Sequence, residues 1–242
     1  MLIAIMVCLK LLTRDVPGEV MPLEATFHVL YINLDADVDR RDRYLDDMKR
    51  MYPDRLSLER ISGVQHAWGI EGCRLAHLKA LSRALEFDAE YVLITEDDVI
   101  ASDSNQALRG CLSEFVARVR ALENRRRPAM LLLECGQHLE KRICLHQCRG
   151  GPNFRRVLFG GNNAGAYLVR RNFIPRLQAV WGCARGIHID FSWQLLWPFY
   201  DVWMAFPPPL KQRSVWSHNL KGMREECQKF DTDLYFATNR YL

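Results

Sequence analysis

The chain has 242 residues, is 49% hydrophobic and 26% charged, and carries a formal net charge of +4. This is ordinary globular composition with enough apolar residues for a sizeable core, in one α/β domain or one decorated domain. The mild basic balance is not the dense cationic footprint of a dedicated nucleic-acid binder, so no nucleic-acid partner is expected.

The N-terminal "MLIAIMVCLKLLTRDVPGE" is apolar with Lys10 inside. Its run of about twelve residues is short for a membrane span, and it lacks a basic leader and a small-residue cleavage site. Residues 1–24 are therefore expected to be an extension, an arm or a degenerate anchor, and residues 25–242 a single domain. The eight cysteines are scattered, without the spacing of a small secreted scaffold, and no Asn-x-Ser/Thr sequon occurs. Reduced thiols and a cytoplasmic location are expected, with the secretory lumen as the alternative if the N-terminus anchors the chain.

"FHVLYINL" reads as a buried strand, followed by a helix with Val38, Leu45, Met48 and Tyr52 at helical spacing, capped by Asp37 or Asp39 and ended by Pro53. "LSLERISGV" reads as a second strand. Gly69 and Gly72 suggest a loop before a helix with Leu75, Leu78, Leu81 and Leu85 on one face. "YVLIT" is a third strand, ending in Glu96, Asp97 and Asp98. "NQALRGCLSEFVARVRALEN" is a strongly amphipathic helix, and the run Arg125 to Arg127 reads as its solvated end.

"AMLLLE" is a fourth buried strand. "CGQHLEKRICLHQC" holds Cys135, His138, Cys144, His146 and Cys148, zinc-ligand types without the paired Cys-x-x-Cys knuckles of structural zinc sites. A loop of unpaired thiols or one disulfide is the favoured reading. "RRVLFGG" and "AGAYLVRR" are short strands around a Gly- and Asn-rich turn, and "NFIPRLQAVW" is a short helix. "IHIDFSWQLLWPFY" begins as a strand and becomes a helix, and "VWMAFPPPL" is a strand stopped by prolines. Strands alternating with helices predict an α/β fold with a mostly parallel central sheet.

Ligands of open α/β sheets bind beyond the carboxyl ends of the strands. Glu96, Asp97 and Asp98 sit at such an end, with apolar residues on both sides. Adjacent carboxylates raise one another's pKa unless a cation lies among them. A solvated acidic turn is the plain reading. A divalent cation holding a diphosphate is the functional one.

An apolar strand ending in adjacent carboxylates resembles nucleotide-sugar-dependent glycosyltransferases of the GT-A type. Six segments, in order from about Phe27 to Asn219, resemble glycosyltransferase family 25, which includes lipopolysaccharide and lipooligosaccharide galactosyltransferases and collagen galactosyltransferases. They are "YINLDADVDRRDR", "GIEGCRLAHLKAL", "YVLITEDDV", "GAYLVRR", "HIDFSWQLLW" and "PPPLKQRSVWSHN". Ala76 stands where the family has Ser, and His218 where an Asp is common.

The resemblance implies a metal-dependent inverting transferase, with Mn²⁺ or Mg²⁺, a UDP-sugar donor and a glycan or glycoprotein acceptor, as in lipopolysaccharide biosynthesis. Asp98 is the expected direct metal ligand, with Asp97, and His218 is a second candidate that could equally be packing. Asn33, Asp35, Arg40, Arg43, His77, Glu96, Asp97 and Gln212 are expected at the donor. Arg40 and Arg43 could instead face Asp39 and Asp47, and His77 could be a satisfied core residue. Asp190 is the candidate general base, beside Trp193 and Trp197 whose faces suit a sugar ring, although Asp also caps helices often. A phosphoryl-transfer enzyme and a decayed, non-catalytic binder are the competing readings; the chain has no P-loop or kinase signature.

Overall fold

The computed structural model describes residues 27–51, 56–101, 105–134, 145–147, 153–158, 163–213, 216–217 and 222–223. The N-terminal extension and His218 lie outside the described residues, as do Cys135, His138, Cys144 and Cys148.

Strands β1 (Phe27–Asn33), β2 (Leu56–Ser62), β3 (Tyr91–Glu96), β5 (Met130–Leu132), β6 (Leu145–Gln147), β7 (Phe154–Val157), β8 (Ala166–Arg170) and β9 (Val202–Ala205) form one sheet, in the order β2-β1-β3-β8-β5-β9-β7-β6. β2, β1 and β3 run parallel, β8 is antiparallel to both β3 and β5, and β5 and β9 run parallel again. β7 reverses once more against β9 and pairs antiparallel with β6. Most strands thus point one way, as expected of the α/β class, with β8 as an inverted strand at the centre.

Both faces of the sheet are covered, which explains why its strands read as continuous apolar runs. Leu30 and Ile32 of β1 join one core, and Val29 and Tyr31 the other. Helices α1 (Val38–Met51) and α3 (Asn105–Ala121) pack on the Val29 side through Tyr44, Met48, Leu108, Leu112 and Phe115. Helices α2 (Gly69–Ala84) and α4 (Ile174–Cys183) cover the Leu30 side with Ala76, Ala80, Leu81, Leu177 and Trp181. Full burial of one such aliphatic side chain stabilises the fold by about 1.5–3 kcal/mol.

Three local expectations are corrected. α2 begins at Gly69 rather than after Gly72, because a Cβ on Gly72 would lie 2.5 Å from the Val64 carbonyl oxygen; glycine lets the first turn close on that loop. The buried stripe of α2 is Ala76, His77, Ala80, Leu81 and Ala84, with Leu78 and Leu85 only partly covered, since small side chains bring the helix close to the sheet. Ile187 to Ile189 form no strand; Ile189–Ser192 is the short helix α5, followed by a 3₁₀ turn over Trp193–Leu196. Among the described residues no helix is long and apolar enough to cross a membrane.

Candidate active site

Chain direction brings the predicted residues together. β1 and β3 are adjacent and parallel, with Ile32 beside Glu96, so Asn33 and the Asp97-Asp98 turn leave the sheet at the same edge. The chain then doubles back as β4 (Val99–Ala101), which pairs antiparallel with β10 (Leu210–Gln212). Val99 faces Gln212, and the Arg213 N–H donates to the Asp98 carbonyl oxygen at 2.6 Å. The C-terminal segment therefore closes over the carboxylate turn, and Gln212 is buried beside it.

Asp97 and Asp98 are both buried. Asn33 Nδ2 donates to Asp97 Oδ2 at 2.7 Å and to the Asp37 carbonyl oxygen at 3.0 Å, while Arg60 donates to Asn33 Oδ1 at 3.1 Å. The Arg40 guanidinium, from the first turn of α1, bonds Asp97 Oδ1 and lies 3.7 Å from Asp98 Oδ2. The repulsion within the acidic run is thus relieved by the chain's own cation. Burial still dominates at Asp97 and raises its pKa, against the lowering effects of Arg40 and Asn33.

The remaining donor-side candidates fall out differently. Asp35 is exposed, held by Ser62 Oγ at 2.8 Å and by Arg60 at 2.5 Å, which depress its pKa. Arg43 is exposed and forms no ion pair among the described residues, so of the two arginines it is Arg40 that faces the carboxylates. His77 sits mid-helix and wholly buried, with Nδ1 2.9 Å from the Tyr167 hydroxyl and Nε2 3.2 Å from Glu96 Oε1. Glu96 also accepts from Cys73 Sγ at 3.6 Å. Glu96 therefore turns away from its neighbours Asp97 and Asp98, toward the face of α2.

Asp190 lies in the first turn of α5, half-buried, and its Oδ1 has no hydrogen-bond partner among the described residues. Burial raises its pKa, His188 lowers it and the Glu96 charge raises it. Trp193 and Trp197 do not flank it as a sugar platform. Both are wholly buried, packed with Trp181 and Tyr167 around His77. Among the described residues the exposed large aromatics are Trp68, Phe191 and Phe199; Phe191 adjoins Asp190 in the chain, and the Trp68 ring lies against Gly186.

One residue escaped the sequence reading. Glu134 follows β5, is 1% exposed, and accepts from Asn163 Nδ2 at 2.5 Å. Its Oε2 would lie 1.9 Å from a Cβ on Gly165, and Gln212 Nε2 3.3 Å from the same position, so both side chains crowd this glycine. Asn163 has φ 138°, a conformation costly for a residue with a side chain and concentrated at functional loops. The signal was present: "AMLLLE" ends an apolar strand in a carboxylate, as "YVLITE" does.

Asp98 suits a hard divalent cation such as Mn²⁺ or Mg²⁺, since its buried carboxylate offers oxygen, and such ions take one or two carboxylates and complete their shell with water and phosphate. Asp97 has one oxygen on Asn33 and the other on Arg40, and so backs Asp98 instead of matching it.

No family model and no curated protein matches the sequence. Among solved structures, galactosyltransferase LgtC in complex with donor and acceptor sugar analogs is 12% identical over 89% of this chain and 96% of its own, with a TM-score of 0.46. A Drosophila β1,4-galactosyltransferase 7 mutant in complex with manganese, UDP-Gal and xylobiose is 10% identical over 87% of this chain and 79% of its own, with a TM-score of 0.44. A glycosyltransferase involved in glycosylation of the major capsid of PBCV-1 is 9% identical over 72% of this chain and 75% of its own, with a TM-score of 0.42.

Proposed function

We propose that the chain is an inverting, metal-dependent glycosyltransferase that moves a sugar from a nucleotide sugar onto a hydroxyl of a glycan or glycoprotein. The resemblance to glycosyltransferase family 25 favours galactose from UDP-galactose. One observation carries the reading: Asn33, Arg40, Asp97 and Asp98 converge at the carboxyl edge of two adjacent parallel strands, under a cover formed by β10. That edge is where open α/β sheets place ligands.

In this reading Asn33, Asp35, Arg40, Asp97 and Gln212 line the nucleotide side. Asp98 would hold the metal directly, with Asp97, tied to Asn33 and Arg40, fixing the turn beside it; the metal when bound supplies positive charge to the departing diphosphate. His77 is buried and acts through Glu96 as a positioning residue. Asp190 is the general base. It accepts the acceptor hydroxyl proton while that oxygen bonds the anomeric carbon and the bond to the diphosphate breaks, releasing the nucleoside diphosphate. Burial serves this role, because a carboxylate base works best when its pKa is moved toward the operating pH. Phe191 and Trp68 offer exposed ring faces for the acceptor.

The test is a donor-hydrolysis and thermal-shift screen across UDP-, GDP- and CMP-sugars with Mn²⁺. A UDP-dependent shift that disappears in Asp98→Ala is expected, and no shift with any nucleotide sugar would overturn the assignment. Asp190→Asn is expected to keep the donor-induced shift and lose transfer. Full turnover in that variant would remove Asp190 from the role.

A further inference from the structure

Glu96 is the one carboxylate of the acidic run that does not face Arg40, and its surroundings are of another chemical kind. Cys73 and His77 are four residues apart on α2, so their side chains stack on one face of the helix. Glu96 meets them from the end of β3, and one ligand atom from each of the three residues lies within 4.8 Å of the others. From these contacts we infer that Cys73 Sγ, His77 Nε2 and Glu96 form a binding site for a borderline-soft divalent cation, Zn²⁺ being the natural occupant, separate from the Asp97–Asp98 turn.

Geometry supports the assignment. Tetrahedral zinc with Zn–N and Zn–O bonds near 2.0–2.1 Å and a Zn–S bond near 2.3 Å sets its ligand atoms roughly 3.3 Å apart for N and O and roughly 3.5 Å apart for S and O. The observed separations are 3.2 Å between His77 Nε2 and Glu96 Oε1 and 3.6 Å between Cys73 Sγ and the same oxygen. The surrounding shell is in place as well. His77 Nδ1 is 2.9 Å from the Tyr167 hydroxyl, the outer hydrogen bond that fixes ring orientation and leaves Nε2 for the metal. Trp181 meets the imidazole edge-on and Tyr167 stacks on it, holding the ring against the sheet.

Charge balance favours the ion too. A thiolate and a carboxylate around Zn²⁺ sum to zero, which suits a site walled by buried aromatics better than an isolated charge would. On binding, the Cys73 thiol loses its proton to solvent. Three protein ligands leave a fourth position for water. The donor set separates this site from Asp98 by chemistry: thiolate and imidazole select zinc, whereas carboxylate oxygen suits magnesium and manganese.

The experiment reads metal binding, so it stands or falls independently of sugar transfer. Metal-stripped full-length protein is titrated with Co²⁺ and then Zn²⁺. One equivalent with a thiolate-to-cobalt charge-transfer band is expected, displaced by Zn²⁺. The band should vanish in Cys73→Ser and persist in the Cys144→Ser/Cys148→Ser double variant, which removes thiols of the other cysteine-rich segment. Glu96→Gln keeps the thiol and should weaken Zn²⁺ binding even if Cys73→Ser folds poorly. Tyr167→Phe should weaken it by roughly 10–100-fold, the usual cost of losing an outer-shell partner. Absence of the band in the wild-type chain, its survival in Cys73→Ser, or unchanged affinity in Glu96→Gln would overturn the site.

Discussion

Replacing Arg40 with leucine removes the cation that faces both buried carboxylates while keeping an aliphatic side chain at that position of α1. The Asp97 side chain is 5% exposed and that of Arg40 22%. Breaking a buried pair by deleting one partner costs about 3–5 kcal/mol, because a charge is left behind without compensation. The partial exposure of Arg40 puts the expected loss at the lower end, about 3 kcal/mol at neutral pH, or roughly 6–12 °C in melting temperature for a chain of this size.

The pH dependence gives the sharper test of the same argument. Asp97 has a folded-state pKa raised above its ordinary value, chiefly by burial. Such a carboxyl is protonated more readily in the folded chain than in the unfolded one. Its effect therefore destabilises the fold as pH rises from the ordinary carboxylate range through the raised folded value, then levels off. Without Arg40 that pKa moves higher and the loss grows. The cost of Arg40→Leu should be full at pH 7 and shrink as pH falls toward the carboxylate range, where Asp97 carries its proton in both proteins. Urea melts of wild type and variant at the two pH values measure this. Mn²⁺ should also stabilise the variant more than the wild type, since it no longer competes with a guanidinium. A neutral-pH cost below about 0.5 kcal/mol, typical of an exposed ion pair, or one that does not change with pH, would refute the reasoning.

Gly165→Ala should destabilise by about 1–3 kcal/mol, the usual cost of overpacking, because the new Cβ falls 1.9 Å from Glu134 Oε2; thermal melting reads the stability and the UDP-sugar thermal shift reads the displaced carboxylate. Phe191→Ala, at an exposed position, should leave the melting temperature unchanged and raise the acceptor KM. Trp193→Ala, wholly buried, should cost about 3–5 kcal/mol and lower the melting temperature instead; a reversal of these two outcomes would show the aromatic roles to be misassigned.

The parts of the fold legible in the sequence were those whose burial pattern is periodic. The α3 stripe of Leu108, Leu112, Phe115 and Val119 is buried as its spacing predicts. β1 and β3 are apolar because both of their faces are covered. α2 misled on detail because its inner face is built from Ala76, Ala80 and Ala84, residues that carry little hydrophobic signal but permit close approach to the sheet. Residues that depend on tertiary placement were harder still. An aromatic side chain's type does not say whether it stands in a core or on a surface, and Trp193 and Trp197 resolve into the core while Phe191 and Trp68 remain outside.

The acidic run shows the same limit in charge. Its three residues are all carboxylates assigned to one donor and metal site, yet strand alternation sends successive side chains to opposite faces. β3 ends at Glu96, which turns to the α2 face and meets Cys73 and His77. Asp97 and Asp98 lie in the turn beyond it, toward α1, where Arg40 waits. One short segment thus faces two electrostatic environments, a guanidinium on one side and an imidazole with a thiol on the other. If a hard cation belongs to the first and a softer one to the second, Asp98→Ala should abolish the Mn²⁺ response and leave Co²⁺ bound to Cys73. Cys73→Ser should do the opposite. Loss of both responses in either variant would mean that the run holds one ion, shared across the sheet edge.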